Sequence, residues 1–368
     1  MVARILSTRP WLISLWALVL PFWDTGASIV LVLIFLMALG RTKLASWAWL
    51  PIFTLGVIAM SMWWLPDTAG MPDRLFFKLP LIMLPIALYG QSEALLRGWR
   101  WALVAVTVFL LWRAAWTQAW TYREFAEGIH QHVYVSMTLV LGLFALWARD
   151  NEWPLRMRWL VTVAALACIA LMGSRMAVAA LAVAAVVAGL SWSAKRLAVL
   201  GLLVAAFAVA QVTGNLRGLG HVWGPAKPYW ATGSVDTRRV QAQAAWEVWE
   251  PQFWQGVGAA PLQPALEASY ERMEYRFGLK RHLNIHNQYL HFGVSYGALA
   301  MVLWMLLMAL MLWRFGLPTL TRVEWALMVA FFLILLTENF LERALGQSLW
   351  WAAWIYLAER AASKSESA

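Results

Sequence analysis

Charge is what this sequence has least of. Only 13% of its 368 residues are charged, against about a quarter in a soluble domain. With 62% hydrophobic residues, a sphere of this size could not hide its apolar surface from water. A soluble enzyme and a disordered protein are excluded on that ground. Cysteine is nearly absent as well. The single Cys168 lies in the apolar run VTVAALACIAL, can form no internal disulfide and belongs to no zinc or redox motif. A disulfide-built secreted scaffold is therefore excluded, and Cys168 reads as a small core- or lipid-facing side chain. Metal-binding patterns are missing too. No His/Cys cluster has ligand spacing, no D-x-D occurs, and Asp67 and Asp73 in PDTAGMPD have no companions, so no metal is expected. No Gly-rich loop follows a strand and GVGAA reads as a turn, so no nucleotide or other cofactor is expected. Nothing beyond net charge speaks for nucleic acid.

What is present is lipid-soluble sequence. Predominantly apolar runs cover residues 11–22, 27–40, 44–64, 75–89, 101–120, 132–147, 157–172, 175–192, 197–212, 288–315, 323–337 and 345–358. They predict an all-α polytopic membrane protein of about twelve transmembrane helices. The first run has a basic start at Arg4 and Arg9 but no A-x-A site, so it does not read as a signal peptide. With a cytoplasmic N-terminus, the inside segments carry Arg4/Arg9, Arg41/Lys43, Arg97/Arg100, Arg149/Arg156/Arg158, Lys195/Arg196, Arg314/Arg322 and Arg360/Lys364. The short outside connections are mixed or acidic, as the positive-inside rule requires. Both termini are then cytoplasmic. The organisation expected is helices 1–9 over 1–212, a long outside loop over 213–285, and helices 10–12 with a tail over 286–368.

The net charge of +10 and the 27 Trp divide between two uses. Most basic residues fix topology. Arg175, Arg238, Arg239 and the Arg272–Arg281 stretch lie outside, where topology does not ask for them. Many Trp are expected at span ends, as interfacial anchors. Trp223, Trp230, Trp246, Trp249 and Trp254 fall in the long loop and suggest that it lies on the bilayer surface. The loop predicts a helix over VDTRRVQAQAAWEVW, capped by Asp236 or Ser234, a turn over PQFWQGVGAAPLQP, and a second amphipathic helix over ALEASYERMEYRF.

The spans hold few ionisable groups near their centres, and no inverted repeat is visible. That speaks against an ion-coupled transporter and moves any chemistry to the outer boundary. Arg175, in the tight turn LMGSRMAVAA, is either a snorkelling span-end residue or a planar fork for phosphate. Arg238 and Arg239 point about 100° apart on a helix, so at most one faces a given site; the alternative for either is a solvated face. His286, in NIHNQYLHFGVSYGALAMVLW, is either a capping residue or a general base of the type imidazole supplies near neutral pH. His282, Tyr289, Gly293 and Gly297 share much the same face, and the glycines would allow close helix approach. His291 lies off that face, His130 and His132 form a weaker cluster, and His221 sits in the Gly/Pro-rich start of the loop. Glu338, in LLTENFLER, would orient His286, bind a sugar hydroxyl, or pair with Arg343.

The span count, the long outside loop before the tenth span and H-N-x(9)-G at its end, here His286-Asn287-(QYLHFGVSY)-Gly297, together resemble the O-antigen ligase superfamily. That superfamily includes O-antigen ligases, O-antigen polymerases and bacterial protein O-oligosaccharyltransferases. The ligase pattern continues x-x-[GTY], where this chain has Ala300. Ser174-Arg175 resembles the family's arginine after the middle spans, and TRRVQAQAAWEVWEPQFWQGVG its R-x(n)-W…P-x-x-G-x-G segment, with Arg238 or Arg239 as the match. The resemblance implies a metal-independent, inverting glycosyltransferase of the bacterial inner membrane acting at the periplasmic face. Its donor would be an undecaprenyl-diphosphate-linked glycan and its acceptor a lipid A–core sugar, in lipopolysaccharide biosynthesis. His286 would be the general base, Arg175 with Arg238 or Arg239 would hold the diphosphate, and Asn287, Tyr289, Glu338 and His282 would support them. The alternatives are a polymerase or protein O-oligosaccharyltransferase of the same superfamily and, from another class, a lipid-linked-glycan flippase.

Overall fold

The computed structural model describes residues 2–40, 43–44, 46–61, 78–118, 120, 125, 132–148, 152–188, 234–311 and 320–366. The expected span 197–212, the loop start with His221, Trp223 and Trp230, and His130, Asp67 and Asp73 lie outside them. Among the described residues the chain is all helical. The α-helices are α1 (Val2–Val19), α2 (Asp24–Ala38), α3 (Leu50–Ser61), α4 (Pro80–Leu88), α5 (Ser92–Thr117), α6 (His132–Trp147), α7 (Leu155–Leu171), α8 (Arg175–Ala188), α9 (Ser234–Trp249), α10 (Leu262–Arg272), α11 (Arg276–Arg281), α12 (Gln288–Met311), α13 (Arg322–Leu335) and α14 (Ala344–Glu366).

Two of them, over Ser92–Thr117 and Gln288–Leu310, are long and apolar enough to cross a bilayer. Asp24–Ala38, Leu50–Ser61, His132–Trp147 and Ala177–Val186 are apolar but shorter. The expected count of about twelve is therefore not confirmed. The physical reason is visible in two runs. Among the described residues, the run 44–64 shows a 3-10 turn, Ser46–Trp49, followed by the twelve-residue α3, and the run 75–89 shows the nine-residue α4, which starts at Pro80.

One large core joins α1–α8 and α12–α14. Helix α14 runs through its middle, and every residue from 349 to 358 is buried. Trp16, Trp99, Trp304, Trp350, Trp351 and Trp354 are fully buried, so these tryptophans are core and not the interfacial anchors that composition suggests. Cys168 is buried as well. Helix ends are satisfied across long sequence distances, as buried backbone groups require. Arg9 donates to the carbonyls of Ile86, Ala87 and Tyr89 at the end of α4. The Glu359 carboxylate of α14 accepts from Gln91 N and Ser92 N at the start of α5, at 3.0 and 3.1 Å. Thr321 and Glu324 form a capping box on α13.

The described part of the long connection is a small helical unit with its own core. Val240, Ala244, Ala245 and Trp249 of α9 pack on Leu262, Leu266 and Tyr270 of α10, with Tyr275 and Ile285. The first helix falls where the sequence places it. The second is shorter, because Glu274 takes φ +54° and divides α10 from α11. Trp249 is buried in this core and donates to Phe253 O, so it is not on the surface as expected, whereas Trp246 and Trp254 are exposed.

Helix α12 breaks at Gly297, with φ +89°, a conformation glycine adopts without a Cβ penalty. The break frees backbone groups, and residues 253–258 fill them. Val257 N donates to Val294 O, Gly258 N to Ser295 O, and Ala298 N to Phe253 O, at 2.8, 3.0 and 2.9 Å. A Cβ at Gly297 would collide with the Trp254 carbonyl, and one at Gly256 with the backbone of Ser295 and Gly297. The glycine of H-N-x(9)-G therefore serves a loop threaded onto a broken helix, not the close helix pair expected from spacing.

Candidate functional site

Two polar clusters flank the start of α12, and both draw on the connection between α13 and α14. The first is open to solvent. His286 sits two residues before α12 at φ +49°. Its Nδ1 is 3.0 Å from Glu338 Oε2, while Arg238 Nη2 donates to Glu338 Oε1 at 3.0 Å and to Thr337 O at 3.4 Å. The carboxylate is buried, whereas the side chains of His286 and Arg238 keep 21% and 34% of their surface exposed. A carboxylate on Nδ1 fixes the neutral ring as the Nδ1–H tautomer, which leaves the Nε2 lone pair available.

The second cluster is sealed around its lysine: the Lys78 side chain keeps 8% of its surface exposed and Gln288 is buried, whereas the Glu342 side chain keeps 24%. Lys78 Nζ donates to Leu341 O and to Glu342 Oε2, both at 2.9 Å. Gln288 Nε2 donates to Glu342 Oε1 at 2.9 Å, and its Oε1 accepts from Leu341 N at 2.8 Å. His291 Nε2 is 3.5 Å from Glu342 Oε2. Desolvation pushes the Glu342 carboxyl up, but Lys78 and His291 outweigh it and hold it well below the usual carboxylate range. Asn339 joins the clusters. Its Oδ1 accepts from Asn287 N at 2.9 Å, and its Nδ2 donates to His291 Nδ1 at 3.1 Å.

The candidates from the sequence divide accordingly. His286, Glu338 and Arg238 come together. Arg239 is exposed on α9, so Arg238 is the one that turns to Glu338. Glu338 pairs with these two, while Arg343 lies over the Tyr134 ring. Asn287 caps α12, its Oδ1 accepting from Leu290 N at 3.0 Å. Tyr289 is half-buried with its hydroxyl 3.5 Å from Phe332 O. His282 is not in either cluster: it is exposed, and its Nδ1 is 2.9 Å from Glu267 Oε1. Hydrogen bonds from Gln263 and His282 lower the Glu267 carboxyl pKa. Arg175 opens α8, which packs along α13; its side chain is outside the described structure.

Sequence reasoning undervalues His291 and His132 and misses Lys78. His291 reads as incidental but belongs to the sealed cluster. His132, at the start of α6, lies within the electrostatic reach of Glu338, Arg238 and His286, so the first half of the chain reaches the open cluster. Lys78 carries no signal in the sequence, because its partner Glu342 is 264 residues away.

Among the described residues, then, an all-helical chain brings a histidine, a buried carboxylate and an arginine together beside the start of α12. A family model described as O-antigen ligase matches residues 160–305, less than half of the chain. This match supports membership of the O-antigen ligase/polymerase superfamily, whose members are membrane glycosyltransferase-like enzymes acting on lipid-linked glycans. The matched segment contains Arg175, Arg238, Arg239 and His286 and excludes Lys78, Glu338 and Glu342. No curated protein matches the chain.

Proposed function

We propose that this protein is an O-antigen ligase of the bacterial inner membrane. It transfers a glycan from undecaprenyl diphosphate to a hydroxyl of lipid A–core at the periplasmic face. The observation that carries the reading is the Glu338 carboxylate held between His286 Nδ1 and Arg238 Nη2. In the reaction the acceptor oxygen attacks the anomeric carbon and its proton passes to His286 Nε2. The bond from the anomeric carbon to the diphosphate oxygen breaks on the opposite face, which inverts the configuration. Glu338 stabilises the imidazolium that forms, much as a buried carboxylate does for a triad histidine. The leaving diphosphate gains negative charge, which Arg238, with Arg175, offsets. Arginine remains charged at any working pH and can fill the role a divalent metal plays elsewhere. Asn287 and Tyr289 set the entry of α12, and His282 belongs to the loop scaffold.

The test is His286→Ala in glycan transfer from purified lipid-diphosphate donor to lipid A–core, with EDTA present. Transfer is expected to fall by about 10³-fold. A wild-type rate in the variant removes the base assignment, and loss of wild-type activity in EDTA removes the metal-independent one. One glycan on lipid A–core is the ligase product. Lengthening on the carrier would instead mark a polymerase, and translocation without a new glycosidic bond a flippase.

A further inference from the structure

The sealed cluster has no part in the chemistry above, yet it is joined to the open cluster through two short stretches, residues 338–342 and 286–288. Glu338 stands at one end of the first stretch and Glu342 at the other. Lys78 grips the far end twice, through the Leu341 carbonyl and the Glu342 carboxylate. Gln288 grips it from the other side, again through Leu341 and Glu342. Asn339 ties the middle to Asn287 N. Gln288, Asn287 and His286 are consecutive, so these contacts stitch the carboxylate segment to the histidine segment residue by residue. Its inner half is buried: Lys78 and Gln288 are out of solvent, and Trp304 and Trp351, both fully buried, line the same small cavity.

A buried ion pair is weak evidence for stability, because an apolar pair of equal volume serves as well or better. Its orienting effect is a different matter, since a displacement of about 1 Å at a reacting group costs on the order of 10²-fold in rate. We infer that Lys78, with Glu342 and Gln288, is a positioning unit that acts through residues 338–342 to hold the Glu338 carboxylate on His286 Nδ1. The inference rests on the reading of His286 as the base.

The experiment is a double-mutant cycle between Lys78→Met and Glu338→Gln, measured on folded, monodisperse enzyme in the transfer assay. Lys78→Met is expected to lower kcat by about tenfold and to leave the donor KM within about twofold. In the Glu338→Gln background it is expected to change kcat no further, because the carboxylate it positions is already gone. A residue that only supports the fold would depress both backgrounds by the same factor. That result, or an unchanged kcat in Lys78→Met, overturns the inference. If Lys78→Met does not fold, the pair variant Lys78→Met/Glu342→Gln, which removes both charges together, takes its place under the same criteria. Wild-type transfer by both His286→Ala and Glu338→Gln would remove the base assignment and the inference with it. Loss in those two beside full activity in the Lys78 variant removes the inference alone.

Discussion

The two clusters at the start of α12 are built from the same parts. Each has a glutamate from the connection between α13 and α14, a histidine from the α12 entry and a cation from a distant helix or turn: Arg238 with Glu338 and His286, Lys78 with Glu342 and His291. They differ in access and in the cation. The open cluster uses arginine, whose fork can hold a carboxylate and still offer nitrogens to an anion. The sealed cluster uses lysine, a point charge that donates to Leu341 O and Glu342 Oε2. The contrast teaches that two His–Glu pairs of like composition differ in the cation each holds and in how deeply that cation is buried.

The largest effect that would sharpen this contrast is on Arg238. Replacing it with Gln is expected to reduce transfer by about 10²-fold, in the range lost with one preorganised charge donor. Arg239→Gln should cost several-fold less, since Arg239 is exposed on the other side of α9. Equal losses in the two variants would break the assignment of Arg238 to the site. Radiolabelled donor and a single-turnover assay would decide it.

Next comes acid stability in the sealed cluster. The folded Glu342 pKa lies below its unfolded value of 4.5, so its contribution is fully present above that value and is lost as pH falls through the folded one. Glu342→Gln leaves the buried Lys78 without its charged partner and is expected to cost about 3 kcal/mol at neutral pH. The gap between variant and wild type in thermal unfolding should stay constant from pH 7 to about pH 5 and narrow only below 4.5. A gap that closes near neutral pH would show that Glu342 is not the carboxylate responsible.

The smallest effect is expected outside both clusters. His282 pairs with Glu267 on an exposed surface, where such pairs are worth about 0.5 kcal/mol or less. His282→Ala should therefore leave transfer and the unfolding midpoint nearly unchanged. A marked loss of activity would place a third element in the site.

Local signals carried much of this arrangement. The α9 helix shows in VDTRRVQAQAAWEVW, and H-N-x(9)-G marks the α12 entry, because capping, turn chemistry and apolar periodicity act over a few residues. Glu338 was visible as a carboxylate in an apolar setting, but its choice of His286 over Arg343 depends on how the α13–α14 connection folds back. Lys78 and His291 were illegible for the same reason: their partner is brought to them by tertiary packing. The tryptophans misled in one direction. Composition alone does not separate a membrane-interface ring from Trp350, Trp351 or Trp354, which fill the middle of the bundle.

The broken helix at Gly297 redraws a boundary that matters for protein engineering. Hydropathy puts the end of the exchangeable loop at residue 285. The threaded segment 253–258, however, supplies hydrogen-bond partners to Val294, Ser295 and Ala298, nine to thirteen residues past that border. A chimera cut at the hydropathy border would pair one parent's loop with the other's helix break and strand those backbone groups. A graft that carries residues 234–298 as one cassette keeps the thread and its eyelet from the same parent, and Arg238 and His286 travel with it.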